Sequence, residues 1–283
     1  MRFAQLVVGP AGNGKSTYCS IVAQHLRATC SRVVDVVNLD PAADFFDYEP
    51  LVDIRELIHV EDAMEDQQFG PNGGLVFCIK TLLENSEWLH EQLGEEVDED
   101  YVLFDCPGQI ELYTHLDVMR RLVELLQHWN FNVCVVFLLD SQFMVDGAKF
   151  ISGTMVAQCV MVNLELPHVN VLTKLDLLTK RALKKLDEYL VPDPHLLLAD
   201  MRKTKWKWHK KYQKLTEAIG EVIEDYSLVS FHPLNIKDEE TVKNLLLTID
   251  NILQYDEDRD VRVKDFDEED LEADADNQNG DYL

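Results

Sequence analysis

Gly9-Pro10-Ala11-Gly12-Asn13-Gly14-Lys15-Ser16-Thr17 lies between an apolar run, 3–8, and a segment, 15–29, with apolar residues three and four apart. The string fits G-x-x-x-x-G-K-[ST] in the setting that gives the pattern meaning: strand, glycine loop, helix. Glycines let successive backbone N–H groups turn inward around phosphate oxygens. A helix starting near Gly14 adds the positive end of its dipole. Gly12, Asn13 and Gly14 form the cradle. Lys15 reaches the β- and γ-phosphates, the Ser16 hydroxyl ligates magnesium, and Thr17 stands beside it in the first helical turn.

Further short runs rich in Val, Leu or Phe occur at 33–39, 101–105, 132–140, 168–173 and 228–231. Continuous apolar runs of that length suit strands covered on both faces. Between them, 114–129, 143–163 and 238–254 carry helical spacing. The expected fold is α/β: a P-loop NTPase with a doubly wound, mostly parallel sheet flanked by helices, plus helical insertions. Residues 41–74, rich in Asp, Glu, Pro and Gly, are expected to be a loop-and-helix excursion. A basic run, Arg202 to Lys211, reads as a solvated helix face, with an electrostatic latch for the acidic tail or a protein contact as alternatives. The domain is expected to span 1–254, and 255–283 to form an acidic, disordered tail dispensable for nucleotide binding.

The 283 residues include 52 acidic and 26 basic ones, for a net charge of −26. Such a surface repels nucleic acid and anionic lipid and favours basic protein partners. No apolar run approaches a membrane span. The N-terminus runs straight into the glycine loop, which leaves no room for a signal peptide. The expectations are no direct nucleic-acid partner, no membrane, and a cytoplasmic location with shuttling to the nucleus. None of the six cysteines forms a C-x-x-C pair, and they read as buried thiols.

More strings carry chemistry. In Phe104-Asp105-Cys106-Pro107-Gly108-Gln109, an apolar strand ends in Asp with Gly three residues on. There Asp105 supports magnesium and Gly108 meets the γ-phosphate. Gln109 stands where a water-orienting side chain belongs, and Glu111 follows. Thr173-Lys174-Leu175-Asp176 resembles the guanine reader [NT]-K-x-D. The Asp176 carboxylate accepts hydrogen bonds from guanine N1–H and the exocyclic amine. Adenine offers neither donor, and the unpaired carboxylate excludes it. The Lys174 stem covers the purine face. Ser230 to Asn235 is the candidate for a final guanine contact. Asp40 ends the second strand, where a carboxylate holds a magnesium-bound water or polarises the attacking one; Asp40-Pro41 is equally a good strand terminator. Phe69-Gly70-Pro71-Asn72-Gly73-Gly74-Leu75 reads locally as a tight turn, with Asn72 tolerating the left-handed region.

Taken together, these strings in this order resemble the GPN-loop GTPases, a family that takes its name from Gly70-Pro71-Asn72 as it stands here. The resemblance runs from Phe3 to about Ile252 and includes 9–19, 36–44, 53–57, 69–75, 104–116, 140–144 and 173–176. It implies GTP or GDP with Mg2+ as the ligand, and GTP hydrolysis in a homodimer or a heterodimer with the first eukaryotic paralogue. It also implies RNA polymerase II subunits as partners, through polymerase assembly and nuclear import. Asn72 would act across the dimer interface on the partner's γ-phosphate, with Asp40, Gln109 and Glu111 positioning water and magnesium. Arg55, Arg120 and Arg121 read as helical and away from the phosphate motifs, which leaves no arginine finger in cis. Two rival readings are a partitioning-type ATPase with a deviant Walker loop, which Asn38 to Pro41 resembles, and a GTP-dependent scaffold with negligible turnover. The first rival class carries a signature lysine early in the loop, where this chain has Pro10 and Ala11, and it has no match to the Thr173–Asp176 guanine reader.

Overall fold

The structure is a computed structural model that describes residues 1–30, 32–94, 100–145, 147–184, 186–191, 209–225 and 229–255. The basic run up to Trp208 and the acidic tail from residue 256 onward lie outside the described residues. In chain order the elements are β1 (Arg2–Val8), α1 (Lys15–Thr29), β2 (Val34–Asn38), β3 (Val52–Asp53), α2 (Val60–Gln67), α3 (Pro71–Glu84), α4 (Ser86–Leu93) and β4 (Tyr101–Asp105). There follow α5 (Glu111–Thr114), α6 (Val118–His128), β5 (Phe131–Asp140), α7 (Gly147–Leu164), β6 (His168–Thr173), α8 (Lys180–Leu183), α9 (Asp187–Leu190), α10 (His209–Asp225), β7 (Phe231–Pro233) and α11 (Glu239–Leu253).

The strands form one seven-stranded sheet in the order β3-β2-β4-β1-β5-β6-β7. Every pairing is parallel, where the sequence suggested mostly parallel. β1 is buried along its whole length because helices cover both faces of the sheet. Its Phe3 and Val7 pack with Tyr18, Val22 and Leu26 of α1 and with Leu245 and Ile249 of α11. Ala4, Leu6 and Val8 point the other way, into a core shared with Ile79 of α3, Leu122 of α6 and Phe150 of α7. Gln5 is the polar exception. It accepts from the Tyr18 hydroxyl at 2.7 Å and donates to Tyr101 at 2.6 Å, which ties α1, β1 and β4 together.

Strand registers line up polar residues along one edge. Asp105 pairs with Val7 on one side and Asn38 on the other, and Asp140 pairs with Thr173. β1 lies where the strand order reverses, between β4 and β5. Loops leaving the carboxyl ends of these strands diverge there and open a crevice, the place where such sheets bind ligands.

Cys30 and Cys159 are exposed where buried thiols were expected, and the 41–74 excursion contains the short strand β3. Two larger expectations change. The string from Phe69 to Leu75 is not a tight turn: it opens α3, with Gly70 as N-cap, Pro71 at the first helical position and Asn72 in the first turn. Proline suits that position because its φ is preset and its missing N–H is not needed. Gly74 lets α3 approach α2, since a Cβ there would come within 2.9 Å of Met64 and 3.1 Å of Val60. The second change concerns Tyr255, which begins the tail in the sequence reading. It is 5% exposed, with its ring 4.8 Å from Phe3, and the Arg32 guanidinium lies 3.9 Å above it. Arg32 in turn makes two 2.8 Å hydrogen bonds to Asp250 of α11. Truncation after Gln254 removes a buried aromatic ring and should cost about 3 kcal/mol, read from urea unfolding.

Candidate functional site

The loop after β1 is shaped by its glycines. Gly9 has φ of 143°, and a Cβ there would sit 2.4 Å from the Leu138 carbonyl oxygen, so no other residue fits. Gly12 and Gly14 take φ of 77° and 87°. Gly14 caps α1, whose first N–H groups face the crevice. β5 and β6 hold the loop from behind. The Asn13 amide donates to the Leu138 carbonyl at 2.9 Å, and the Thr173 hydroxyl donates to the Asn13 carbonyl at 3.0 Å. The Lys174 ammonium donates to the Gly12 carbonyl and, at 2.9 Å, to Asp140. Lys174 is itself left-handed, at φ 58°, which swings its stem across the loop.

In front of the loop is a cavity of about 920 Å³. Its floor is Gly12, Gly14, Lys15, Ser16 and Thr17, and its walls include Asp40, Asn72, Gln109 and Glu111. Asn72 thus borders the phosphate cavity of its own chain. Gly70 and Pro71 serve as cap and first residue of the helix that places it. Beside this cavity is a smaller one of about 220 Å³ that shares Gly14, Thr17 and Lys174 with it. Asp176, Leu177, Leu234 and Ile236 line the smaller cavity. The segment after β7 therefore does reach the place where a base would lie, through Leu234 rather than Phe231, which is in the core. Leu175, between the two readers, packs into the core. Thr173 touches the smaller cavity and anchors the loop.

Electrostatics single out the floor. Lys15 is 8% exposed and donates to the carbonyls of Gly9 and Pro10. Burial lowers its pKa, and the nearby carboxylates of Asp105 and Asp40 partly offset this. Burial pushes the carboxyls of Asp105 and Asp40 upward. Hydrogen bonds from Ser16 and Tyr48 counter the rise at Asp105, and the Ala42 N–H, Lys15 and Arg55 counter it at Asp40. Buried charges of both signs without close pairing are costly, and such clusters of shifted groups are typical of sites that take a charged ligand. The Gln109 carbonyl oxygen is buried with no hydrogen-bond partner among the described residues. A buried acceptor of this kind suits a donor such as an ordered water.

The donor set also suits a hard cation. Ser16 and Asp105 offer oxygen ligands beside the phosphate cradle. Among the described residues no group of three or more His, Cys, Asp or Glu could hold a metal alone. Such a partial shell is the kind that phosphate oxygens and water complete around Mg2+.

The sequence did not indicate three further residues. The Tyr48 hydroxyl donates to Asp105 at 2.7 Å. Lys237, itself exposed, donates to Oδ2 of Asp176 at 2.9 Å, a solvent-screened contact at the rim of the smaller cavity. Arg55 lies nearer the site than its helical reading implied. It follows β3 in a single 3-10 turn, bonds Asp53, and donates to the Ala43 carbonyl at 2.8 Å. Arg120 stays remote, paired on the surface with Glu124 and Glu165.

A parallel sheet with a glycine loop at its switch point, a buried lysine beneath the loop and a carboxylate at the end of the neighbouring strand define a P-loop NTPase. Comparison with known proteins agrees. A family profile described as "conserved hypothetical ATP binding protein" matches residues 7–255. The protein named GPN-loop GTPase 3 of Danio rerio is 54% identical over 271 residues, which cover 95% of this chain and 94% of that one. Its namesake in Dictyostelium discoideum is 47% identical over 258 residues, 91% of this chain and 89% of that one. The crystal structure of a GTPase in apo form from Pyrococcus abyssi superposes with a TM-score of 0.72 at 27% identity, covering 88% of this chain and 97% of that one. The chain belongs to the GPN-loop GTPase family.

Proposed function

We propose that this protein binds GTP with Mg2+, hydrolyses it to GDP and phosphate, and does so as a dimer. The observation that carries the reading is the placement of Asp176 in a cavity that shares Gly14, Thr17 and Lys174 with the phosphate cavity beside it. There its carboxylate meets the base of a nucleotide whose phosphates lie on Lys15. Guanine presents two donors to it, and adenine presents none.

The roles follow from position. The N–H groups at the start of α1 bind the phosphates, and the Lys15 ammonium turns to them from the Gly9 and Pro10 carbonyls. Ser16 and Asp105 are the residues that would hold magnesium, which when bound neutralises charge on the β- and γ-phosphates. Gln109 accepts from the attacking water with its free carbonyl oxygen and orients it. Asp40 and Glu111, on the same wall, are the alternatives for that task. Asn72 supplies an oriented amide to the γ-phosphoryl group, and by family resemblance it does so across the dimer. The same resemblance supports the wider role: pairing with the first paralogue or a second copy, and work on RNA polymerase II subunits in the cytoplasm before nuclear import. The strongly acidic surface suits basic protein partners and no nucleic acid or membrane.

Gln109→Leu tests the water assignment. Nucleotide affinity should stay within about two-fold, and single-turnover hydrolysis should fall by about 10²-fold, the usual effect of a misplaced reactant. Hydrolysis at the normal rate would pass the role to Asp40 or Glu111.

A further inference from the structure

The chain leaves the sheet at Leu39 and returns at Leu51, and the segment between is tied down along its length. The Ala43 carbonyl accepts from Arg55 at 2.8 Å, and the Arg55 guanidinium lies 4.8 Å from the centre of the Phe46 ring. The Asp47 carbonyl accepts from Ser20 of α1 at 3.1 Å. The Leu51 N–H donates to Val36 of β2 at 2.7 Å. Phe46 and Tyr48 stack with ring centres 4.7 Å apart and planes 11° apart. The Tyr48 hydroxyl donates to Oδ2 of Asp105 at 2.7 Å. Of the three aromatic residues in the segment, Phe45 is the one that turns outward, at 80% exposure.

These contacts form a chain from the edge of the sheet to the magnesium site. Asn38 donates to Asp53 at 2.9 Å, and Asp53 holds the Arg55 guanidinium. Arg55 covers Phe46, Phe46 stacks on Tyr48, and Tyr48 grips Asp105. The position of one phenol oxygen is thus fixed by residues on β2, β3 and the segment itself. Asp105 needs such a partner. The torsion that turns a carboxylate is soft and two-fold, so each donor removed widens the range of orientations the group visits. Held at Oδ2 by Tyr48 and hydrogen-bonded by Ser16 as well, it keeps one orientation beside the glycine loop.

We propose that Tyr48 is a positioning residue of the magnesium site, whose hydroxyl orients Asp105 and couples the docking of residues 40–50 to metal binding. This rests on the reading of Ser16 and Asp105 as the magnesium side chains. Tyr48 does not touch substrate or metal. It acts through Asp105, so its loss weakens the metal and spares the metal-free nucleotide.

The test uses the full-length protein, a fluorescent GDP analogue and titrated Mg2+. In the wild type, Mg2+ should slow nucleotide release in a saturable way and give an apparent metal constant. Tyr48→Phe keeps the stacked ring and removes only the donor. It should weaken that constant about ten-fold, the loss expected for one hydrogen bond to a charged group. Affinity for the analogue in EDTA should not change, and the melting midpoint should show that the variant is folded. Hydrogen exchange on the wild type needs no substitution. Adding Mg2+ to the GDP-bound protein should slow exchange across 41–51, and in Tyr48→Phe that response should be lost. An unchanged metal constant and exchange response in Tyr48→Phe would reduce Tyr48 to a staple and overturn the proposal alone. A tighter metal constant would show that the hydroxyl competes with the metal, which also overturns it. A wild type with no Mg2+ dependence would overturn the magnesium reading itself and this proposal with it.

Discussion

Replacing Lys15 by alanine should weaken guanine nucleotide binding by at least 10³-fold, about 4 kcal/mol. Lys15 is the buried cation beneath the glycine loop, and among the described residues its ammonium donates to the Gly9 and Pro10 carbonyls. Burial already lowers its pKa. An ammonium held at that disadvantage gains more than a solvated one when an anion arrives, because the surroundings screen the attraction less. The substitution also removes a buried charge, so the variant should melt no lower than the wild type. That separates a binding defect from a folding defect. Calorimetry with GDP measures the first and thermal unfolding the second. Tight GDP binding by a folded Lys15→Ala chain would mean that the backbone cradle alone carries the phosphates.

Asn72→Ala should lower turnover by about 10²–10³-fold with little change in nucleotide affinity, the usual loss when one oriented donor is removed from a developing charge. The asparagine sits in the first turn of α3, fixed by Pro71 before it and by the close packing of Gly74 on α2. A side chain on a helix so held loses little order when it meets the reacting group. Asn72 borders the cavity of its own chain, and the family resemblance assigns its action to the partner's. A mixed dimer separates the two. One chain carries Asn72→Ala with an intact nucleotide site. The other keeps its asparagine and carries Lys15→Ala. Action across the interface predicts turnover at the one working site, at close to the wild-type rate per site. A site as inactive as in the doubly substituted Asn72→Ala dimer would place the asparagine in cis.

What the sequence revealed and what it hid have physical causes. The glycine loop was legible because its residues answer to local backbone rules, and Gly9, Gly12 and Gly14 take the dihedrals those rules require. The strands were legible because burial on both faces leaves unbroken apolar runs. The start of α3 was hidden because Gly, Pro, Asn and Gly are turn residues locally. Only the pattern beyond them, with Cys78, Ile79, Leu82 and Leu83 buried on one face, shows that a helix has begun. Tyr255 was hidden by the composition of the acidic segment that follows it. Its partners Phe3, Arg32 and Tyr101 lie far away in the chain. Tyr48 and Lys237 carry no local signal either. Each is defined by a carboxylate, Asp105 or Asp176, that only the parallel sheet brings within reach.

The choice of base is the central claim, and calorimetry of the purified protein with Mg2+ and either GTP or ATP tests it most directly. The placement of Asp176 predicts that GTP binds at least 10²-fold more tightly than ATP, because adenine leaves the carboxylate without its two donors. Equal affinity for the two nucleotides would contradict the account and restore the ATPase reading of the same glycine loop.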